Sequence, residues 1–322
     1  MNQVSVIIPN FNGIKYLKDC LDSLRKQTMK EFNIILIDNA STDGSVSYLQ
    51  ENYPEVILSV LDQNYGFCKA VNEGIRLSDA PYVLLLNNDT IVDEDFVKQL
   101  YHEIIQDTNI FSCQGKMLNL RNPNIMDDGG DYYNALGWAF TIGKGKDAKK
   151  YNQKREIFSS CGGAAIYRRD LLLTLGLFDE EHFAYLEDMD LGYRARIHGY
   201  RNLYCPQAMV KHVGSGTTGS KYNEFKVYYS ARNNIYLIYK NMPVLQLLLN
   251  LPFILLGILI KGCFFSLKKY GRDYVKGLKD GIRLSFHHRK NNKKVRFQWG
   301  NLTNYTKIQL DLWVNILKKV IG

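Results

Sequence analysis

The segment YVLLLNNDTIV, residues 82–92, shows how one buried strand of this chain ends. Its first five residues form an apolar run that is typical of a strand covered on both faces. The run stops at Asn87, Asn88 and Asp89, and polar side chains at such a position need hydrogen-bonding partners or solvent. The sequence therefore predicts a strand that presents one carboxylate and two amides at its end.

Short β-rich runs alternate with amphipathic segments upstream of this strand. The runs VSVIIP (4–9), NIILID (33–38) and VILSVL (56–61) predict three further strands. Between the first two, residues 13–27 place apolar side chains at spacings of three and four, as an amphipathic helix does. This alternation predicts an α/β fold with a Rossmann-like, mostly parallel sheet and helices on its faces.

Polar residues follow all four predicted strands. Ligands of open α/β sheets bind beyond the carboxyl ends of the strands, so we expect these polar ends to form one site. The predicted ligand-binding residues are Pro9, Asn10, Asn12, Asp38, Asn39, Ser41, Asp43, Asn64, Gly66, Phe67, Asn87, Asn88 and Asp89. The alternative is that the Asn and Asp side chains cap the following helices, and for residues 41–43 it holds at least in part.

Asp89 is the sole carboxylate in its segment. A carboxylate at a strand end can bind Mg²⁺ or Mn²⁺, with water and phosphate oxygens as the other ligands. A diphosphate supplies such oxygens and is a good leaving group once its charge is neutralised, which suits a nucleotide-sugar donor. We predict Asp89 and His212 as metal ligands. His212 ends the predicted strand 202–212 before a glycine-rich segment, and a structural role for it is equally compatible with the sequence.

Five ordered segments resemble the inverting glycosyltransferases of family 2, which have a nucleotide-diphosphosugar transferase fold. The segments are VSVIIPNFNG (4–13), IDNASTDGS (37–45), NYGFCKAVNEG (64–74), NNDT (87–90) and the block 162–200. The resemblance covers residues 4–216 and is greatest to the bacterial rhamnosyltransferase-like branch. The sequence departs from the family pattern at Asn87, which stands in place of the first D-x-D aspartate.

The resemblance implies a single in-line transfer of a sugar, in which a base deprotonates the acceptor hydroxyl. It assigns the ligand-binding residues, with Asn72 added, to the nucleotide-sugar donor. Asp188 is the expected base, beside Glu187. Gly162, Gly163 and Glu187 are expected on the acceptor side.

Two simpler roles are open for the acidic residues of the segment EDMD, residues 187–190. Glu187 and Asp188 are placed where a helix dipole favours acids in the first turn, whatever their chemistry. Asp190 lies four residues before Arg194, so we predict that these two form a structural ion pair.

Two other regions differ from this α/β pattern. Residues 119–158 are rich in Gly, Asp, Asn and Lys, and we expect a long loop or hairpin over the site. Residues 244–260 are strongly apolar, and residues 261–296 carry twelve Lys and Arg against two Asp, a balance of +10 in a chain of net charge +9. Such a basic block suggests an anionic partner.

The apolar run is shorter than the roughly 20 residues of a membrane-spanning helix. We expect an interfacial helix or helical hairpin, with the basic block against anionic headgroups. The alternatives are a spanning helix and a helix buried against the catalytic domain. The predicted division is a catalytic domain, 1–240, and a helical extension, 241–322, that associates with the membrane or forms a homo-oligomer.

These observations predict a metal-dependent hexosyltransferase for cell-surface polysaccharide synthesis. The expected reaction moves L-rhamnose from dTDP-rhamnose to a lipid-linked or saccharide acceptor. Nucleic acid is not an expected partner, because the basic block lacks regularly interleaved aromatic residues. The expected location is cytoplasmic, peripheral on the inner face of the cell membrane, and the N-terminal residues predict a strand, not a signal peptide. The alternatives are a UDP-hexose-dependent transferase of the same family and a non-catalytic sugar-nucleotide-binding protein.

Overall fold

The computed structural model describes residues 2–214, 222–290 and 293–321, so most of the expected glycine-rich segment after His212 lies outside the described residues. The first third of the chain is a parallel α/β unit. Its elements are β1 (Val4–Asn10), α1 (Ile14–Arg25), β2 (Phe32–Asp38), α2 (Ser45–Asn52), β3 (Ile57–Val60), α3 (Gly66–Leu77) and β4 (Tyr82–Leu86). The four strands lie in the order β3-β2-β1-β4, all parallel, which confirms the predicted Rossmann-like sheet.

The sheet continues beyond β4 with strands of both directions. The following elements are β5 (Thr90–Val92), α4 (Phe96–Ile104), β6 (Ile110–Asn119), β7 (Asn122–Asp128), β8 (Asp131–Asn134), β9 (Trp138–Thr141), β10 (Arg155–Ile157), β11 (Ala164–Arg168), α5 (Arg169–Leu175), α6 (Glu187–Ile197) and β12 (Arg201–His212). β11 is antiparallel to both of its neighbours, β4 and β6, whereas β12 is parallel to β6. The central strands are apolar throughout because side chains of both faces are buried: Val6 and Ile8 pack in one core cluster and Ile7 in the other.

Residues 119–158 form short strands, not one long loop. β6 and β7 make one antiparallel hairpin, and β8 and β9 make a second. The expectation of a hairpin was therefore correct, and that of a long irregular loop was wrong. Strands of three to seven residues, interrupted by glycine turns, leave too little alternation for a sequence pattern to reveal them.

Four helices complete the chain: α7 (Glu224–Asn241), α8 (Val244–Leu267), α9 (Gly271–Lys290) and α10 (Leu302–Ile321). Three of them, α7, α8 and α10, share a hydrophobic core with α6 and β8, in which Ile254 of α8 and Leu312 of α10 pack beside Tyr193. The fourth, α9, packs against α7 through Tyr274. The inward face of α10 includes Ile308 and Leu312, which are buried, whereas Val320 lies beyond the core and is exposed. The proposed extension is thus attached to the catalytic unit by a common core.

Helix α8 turns its polar residues inward. Tyr193 donates a hydrogen bond from its hydroxyl to Oε1 of Gln246 at 2.6 Å, and Asn250 and Gln309 of α10 exchange two bonds at 2.7 and 2.9 Å. Gln246 and Asn250 are polar residues within an otherwise apolar run, and their hydrogen bonds fix α8 to the protein. In the described part of the chain, α8 is the one helix long and apolar enough to cross a membrane, judged by length and composition.

Candidate active site

The polar ends of β1, β2 and β4 meet at one edge of the sheet. Asn10 donates from Nδ2 to Oδ2 of Asp38 at 2.8 Å, and Asn88 donates from Nδ2 to Oδ1 of Asn10 at 2.6 Å. The backbone N–H of Ser41 donates to the other oxygen of Asp38 at 2.8 Å. Pro9 lies beside these residues in β1, opposite Ile37. The arrangement orients one carboxylate and two amides at the place where the sequence predicted a ligand.

The loop after β2 is held by its own side chains. Ser41 accepts a hydrogen bond on Oγ from the N–H of Asn12 at 2.8 Å. Asp43 accepts bonds from the N–H groups of Ile14 and Ser45, at 2.9 and 3.0 Å, and these residues begin α1 and α2. The capping interpretation is therefore correct for Asp43.

The segment before α3 is fixed to the same loop. Asn39 donates from Nδ2 to the carbonyl of Gly66 at 3.0 Å, and Asn64 accepts a bond from the N–H of Gly66 at 2.9 Å. Phe67 faces Gly162, where an added Cβ would lie 3.0 Å from its ring.

Asn72 is a structural residue, in contrast to its predicted place in the donor site. It is buried in the middle of α3, where its amide donates to the carbonyl of Phe178 at 2.8 Å and to Glu180 at 3.0 Å. Its carbonyl accepts a bond from the N–H of Phe178 at 3.1 Å. Both polar groups are therefore used to connect α3 to the segment that precedes α6, and we exclude Asn72 from the donor set.

Asp89 and His212 come together although 123 positions separate them in the sequence. Oδ1 of Asp89 lies 3.2 Å from Nε2 of His212, because β5 pairs with the end of β12 just beyond Asp89. On the opposite side of the ring, Nδ1 of His212 lies 2.6 Å from Oδ2 of Asp127. Lys144 in turn contacts Asp127 at 3.2 Å. The imidazole is thus held between two carboxylates.

Asp89 and His212 would supply two of the ligands of a divalent cation, and the other ligands would come from elsewhere. Within the described residues, no three His, Cys, Asp or Glu side chains form a ready-made metal centre. A carboxylate oxygen and an imidazole nitrogen at this distance leave the other coordination positions to phosphate oxygens and water. Burial would lower the pKa of His212, but hydrogen bonds to Asp127 and Asp89 raise it to about 9. The imidazole is therefore protonated near neutral pH when no cation is bound.

Gly163 connects the predicted acceptor side to the metal segment. Its carbonyl accepts a hydrogen bond from the N–H of Asn87 at 2.9 Å, through the pairing of β11 with β4. A Cβ at Gly163 would lie 2.8 Å from the side-chain amide of Asn87, so a larger residue would require this side chain to move.

Glu187 and Asp188 begin helix α6 in a poorly solvated position. Burial raises the pKa of Glu187 to about 7, and Oε2 of this carboxyl finds no hydrogen-bond partner among the described residues. Burial and the charge of Glu187 raise the pKa of Asp188 well above its usual value, with a further contribution from Asp128. One oxygen of Asp188 accepts a bond from the N–H of Met189 at 2.7 Å. Raised carboxyl pKa values of this kind suit a general base that works near neutral pH.

The turn that precedes these acids is strained and is held by α7. Phe183, Tyr185 and Leu186 all have positive φ, a conformation that side chains other than Gly rarely adopt. Asn233, which is fully buried in α7, donates to the carbonyls of His182, Ala184 and Tyr185 at 2.8 to 2.9 Å. A single amide therefore supports the backbone that presents the catalytic candidates.

Asp190 forms the predicted ion pair with Arg194, at 2.6 Å. The pair is part of a larger buried network, because Nζ of Lys240 lies 2.9 Å from Asp190 and 2.7 Å from Asp179. Burial would raise the pKa of Asp190, but Arg194 and Lys240 lower it far below its usual range. Asp190 is therefore ionised and structural.

Several residues that shape the site could not be assigned from sequence. Asp127 lies in the segment DDGGD, whose acidic character was visible but whose partner His212 was not. Asn233 and Lys240 lie on α7, a helix for which the sequence analysis made no prediction. Only contacts between distant parts of the chain identify their functions.

Comparison with known proteins agrees with this geometry. The sequence model of glycosyl transferase family 2 matches residues 5–176. The glycosyltransferase GlyG of Streptococcus pneumoniae is 27% identical over 186 residues, which cover 56% of this chain and 60% of that protein. The N-acetylglucosaminyl-diphospho-decaprenol L-rhamnosyltransferase of Mycobacterium tuberculosis is 24% identical, with 66% of this chain and 77% of that protein covered.

A solved structure also shares the fold. GalNAc-T7, crystallised with UDP, GalNAc and Mn²⁺, has a TM-score of 0.61 and 18% sequence identity, and the match covers 74% of this chain and 48% of that chain. The chain thus spans three-fifths of the pneumococcal relative and about half of the solved neighbour. Because the family match extends over more than half of the chain and includes the strand that ends at Asp89, this chain belongs to glycosyl transferase family 2.

Proposed function

We propose that this chain is an inverting, metal-dependent glycosyltransferase that moves L-rhamnose from dTDP-rhamnose to a lipid-linked acceptor in cell-surface polysaccharide synthesis. The observation that carries the proposal is the 3.2 Å approach of Asp89 to His212 at the polar edge of the sheet. Elsewhere in the chain, two neighbouring acids, Glu187 and Asp188, have raised pKa values. Such a transfer requires a donor-binding site and a base.

The donor half of the reaction uses the polar ends of the strands. Asp38 is buried and accepts hydrogen bonds from Asn10 and Ser41, so it would fix the loop that meets the nucleoside. Asp89 and His212 would hold Mg²⁺ or Mn²⁺, which supplies the positive charge that stabilises a leaving diphosphate. A solved neighbour contains UDP and Mn²⁺, which supports this choice of donor and cation.

The acceptor half uses the start of α6. Asp188 removes the proton of the acceptor hydroxyl as that oxygen attacks the anomeric carbon from the face opposite the diphosphate, so the configuration inverts. Glu187 shares the poorly solvated position and raises the pKa of Asp188. Asn233 keeps the preceding turn in the conformation that presents both carboxyl groups.

The choice of sugar and acceptor rests on relatives. The M. tuberculosis relative is named as an L-rhamnosyltransferase that acts on a sugar-diphospho-lipid. Its similarity supports rhamnose as the sugar and a lipid-linked acceptor for this chain. A saccharide acceptor and a UDP-hexose donor are the alternatives within the same family.

The C-terminal helices support a peripheral position on the cytoplasmic face of the cell membrane. The outward side of α8 is apolar, with Leu245, Leu248, Leu255 and Leu259 each more than half exposed. The inward side of α8 is occupied by contacts with α6 and α10, so the helix lies along the protein. The neighbouring α9 supplies basic residues for anionic headgroups.

Calorimetric titration with UDP-, dTDP- and GDP-sugars, each with and without Mn²⁺, tests the proposal. We expect dTDP-rhamnose to bind most tightly and to require Mn²⁺. Preference for a UDP-hexose would replace the sugar assignment. Binding without transfer to any sugar-diphospho-lipid would identify a non-catalytic binding protein instead.

A further inference from the structure

A cavity of about 390 Å³ lies between α7, α8, α9 and the hairpin of β8 and β9. Part of its wall is aromatic, with Trp138, Phe264 and Phe265. Helix α8 approaches the hairpin closely here: the indole N–H of Trp138 donates to the carbonyl of Gly257 at 3.3 Å. A Cβ at Gly257 would lie 2.1 Å from the carbonyl oxygen of Leu136, so glycine is required for this contact.

Three lysines line the same cavity: Lys226 from α7, Lys261 from α8 and Lys319 from α10. Nζ of Lys261 lies 5.7 Å from the Trp138 ring, and Nζ of Lys319 lies 5.1 Å from the Phe140 ring. Neither Lys261 nor Lys319 pairs with a carboxylate among the described residues. Burial, with the nearby charge of Lys319, lowers the pKa of Lys261 to about 8. An anion that lies between such lysines stabilises their like charges.

The cavity adjoins the catalytic candidates. Tyr185, which lines it, belongs to the strained turn and precedes Asp188 by three residues. On another side of the cavity, burial lowers the pKa of Lys226, and the positive charge of Lys144 lowers it further. Lys144 contacts Asp127, which holds His212. Through Tyr185, the cavity therefore reaches the turn that precedes the proposed base, Asp188.

The mouth of the cavity opens onto the apolar side of α8. Phe264 lines the cavity and is 37% exposed, and Leu267, one turn further along α8, is 84% exposed. A hydrocarbon chain that leaves the cavity can follow this side without meeting a charged residue of α8. A cationic site with aromatic walls and an apolar exit fits an amphiphile with a diphosphate head.

We propose that this cavity binds the diphosphate group of the lipid-linked acceptor, with Lys261 and Lys319 as its principal ligands and the lipid chain directed along α8. The assignment rests on the proposed transfer to a lipid-linked acceptor. It gives the C-terminal helices a role in acceptor recognition in addition to attachment. Two ammonium groups match the charge of a diphosphate, and the aromatic wall matches the first isoprenoid units.

Calorimetric titration of the full chain with farnesyl diphosphate, in excess EDTA, tests the site separately from the metal seat. We expect binding that weakens roughly tenfold or more in Lys261→Gln/Lys319→Gln, as loss of charge-assisted contacts implies. The matched control, Lys26→Gln/Lys30→Gln, removes the same charge from exposed positions near the end of α1, outside the cavity, and should bind as the unchanged chain does. The single variant Lys319→Gln alters only an exposed side chain and should still weaken binding.

Farnesol and inorganic diphosphate distinguish the sources of affinity. Each should bind at least roughly tenfold more weakly than farnesyl diphosphate, because each lacks one of the two matching parts. Equal binding of inorganic diphosphate would make the cavity a simple phosphate site and overturn the lipid assignment. Failure of the unchanged chain to bind farnesyl diphosphate, or equal losses in the control variant, would overturn the site itself. Binding of nucleotide sugars with Mn²⁺, measured in parallel, reports on the proposed function independently.

Discussion

The carboxylate of Asp127 lies 2.6 Å from Nδ1 of His212, on the side of the imidazole ring that faces away from Asp89. A histidine that ligates a metal usually donates its other N–H to a carboxylate, which fixes the ring and its tautomer. Asp127 is in the right position to do this for His212. If His212 ligates the proposed cation, Asp127 positions its ring without itself touching the cation.

Replacing Asp127 by Asn tests this positioning role. We expect Asp127→Asn to weaken Mn²⁺ binding about 10- to 100-fold, as loss of such an outer contact typically does. Electron paramagnetic resonance of Mn²⁺ at saturating dTDP gives the affinity directly. Glu156→Gln, which removes a charge from a surface ion pair, serves as the control and should leave Mn²⁺ affinity unchanged. If both variants bind Mn²⁺ as tightly as the unchanged chain does, Asp127 does not contribute to the metal site.

The pH dependence of turnover tests the environment of Glu187 and Asp188. Burial raises the pKa of both carboxyl groups, that of Glu187 to about 7, so the ionised base becomes abundant only near and above neutral pH. We expect kcat still to rise with pH above pH 6, because the pKa of the proposed base, Asp188, is raised well above its usual value. An ordinary carboxylate would have reached its plateau below pH 6. A flat profile between pH 5.5 and 8.5 would show that the base is not held in this environment.

The same raised pKa values make a prediction about stability. A buried carboxyl whose folded pKa exceeds its unfolded value favours the folded state at low pH, and this contribution declines as pH rises from about 4 to 7. Glu187→Gln cannot ionise, so its melting temperature relative to that of the unchanged chain should increase between pH 5 and pH 8. Thermal unfolding followed by circular dichroism measures this difference, and an unchanged difference would contradict the assigned pKa.

Single substitutions decide which of the two acids is the base. Asp188→Asn should reduce kcat by roughly two orders of magnitude or more, the usual effect of losing a general base. Binding of the nucleotide sugar should barely change, because Asp188 is assigned to the acceptor side. If Glu187→Gln abolishes turnover and Asp188→Asn does not, the assignment is wrong by one residue.

Membrane attachment through α8 is tested by co-sedimentation with anionic vesicles. The chain should pellet at low salt and less at high salt, since apolar burial and charge attraction act together. Leu248→Ser/Leu255→Ser/Leu259→Ser should remain in the supernatant, because these side chains are 60, 58 and 63% exposed on the outward side. The control is Leu310→Ser, which changes an exposed side chain of α10 and should pellet as the unchanged chain does.

Other sedimentation results would point elsewhere. Resistance of the unchanged chain to alkaline carbonate would indicate that α8 spans the bilayer. Failure of the unchanged chain to pellet at low salt would leave this surface as an interface between copies of the chain.

Local patterns predicted the parts of the site that lie close together in sequence. Asp89 was found because it ends an apolar run, and the pairing of Asp190 with Arg194 was found because four residues are one helical turn. Asp127 was missed because its partner lies 85 positions away, and Asn233 because it supports carbonyls about 50 positions away. Asn72 was misassigned because its amide is used by Phe178, a contact that no local pattern reveals.

The C-terminal helices illustrate the same limit in a different way. Gln246 and Asn250 looked like interruptions of an apolar segment, whereas their partners are Tyr193 on α6 and Gln309 on α10. A sequence pattern gives the period of a helix, but it does not tell which side faces the protein when the partners are polar. Which side of α8 faces the protein could therefore be determined only from the structure.

The central claim is that Asp89 binds the cation through which the nucleotide diphosphate is held. Calorimetric titration of dTDP, with and without Mn²⁺, into the unchanged chain and into Asp89→Ala measures it most directly. We predict that dTDP binds the unchanged chain tightly only with Mn²⁺, and that Asp89→Ala abolishes the Mn²⁺-dependent binding while its circular dichroism spectrum stays unchanged. Equal dTDP affinity with and without Mn²⁺, or Mn²⁺-dependent binding that survives in Asp89→Ala, would contradict the account.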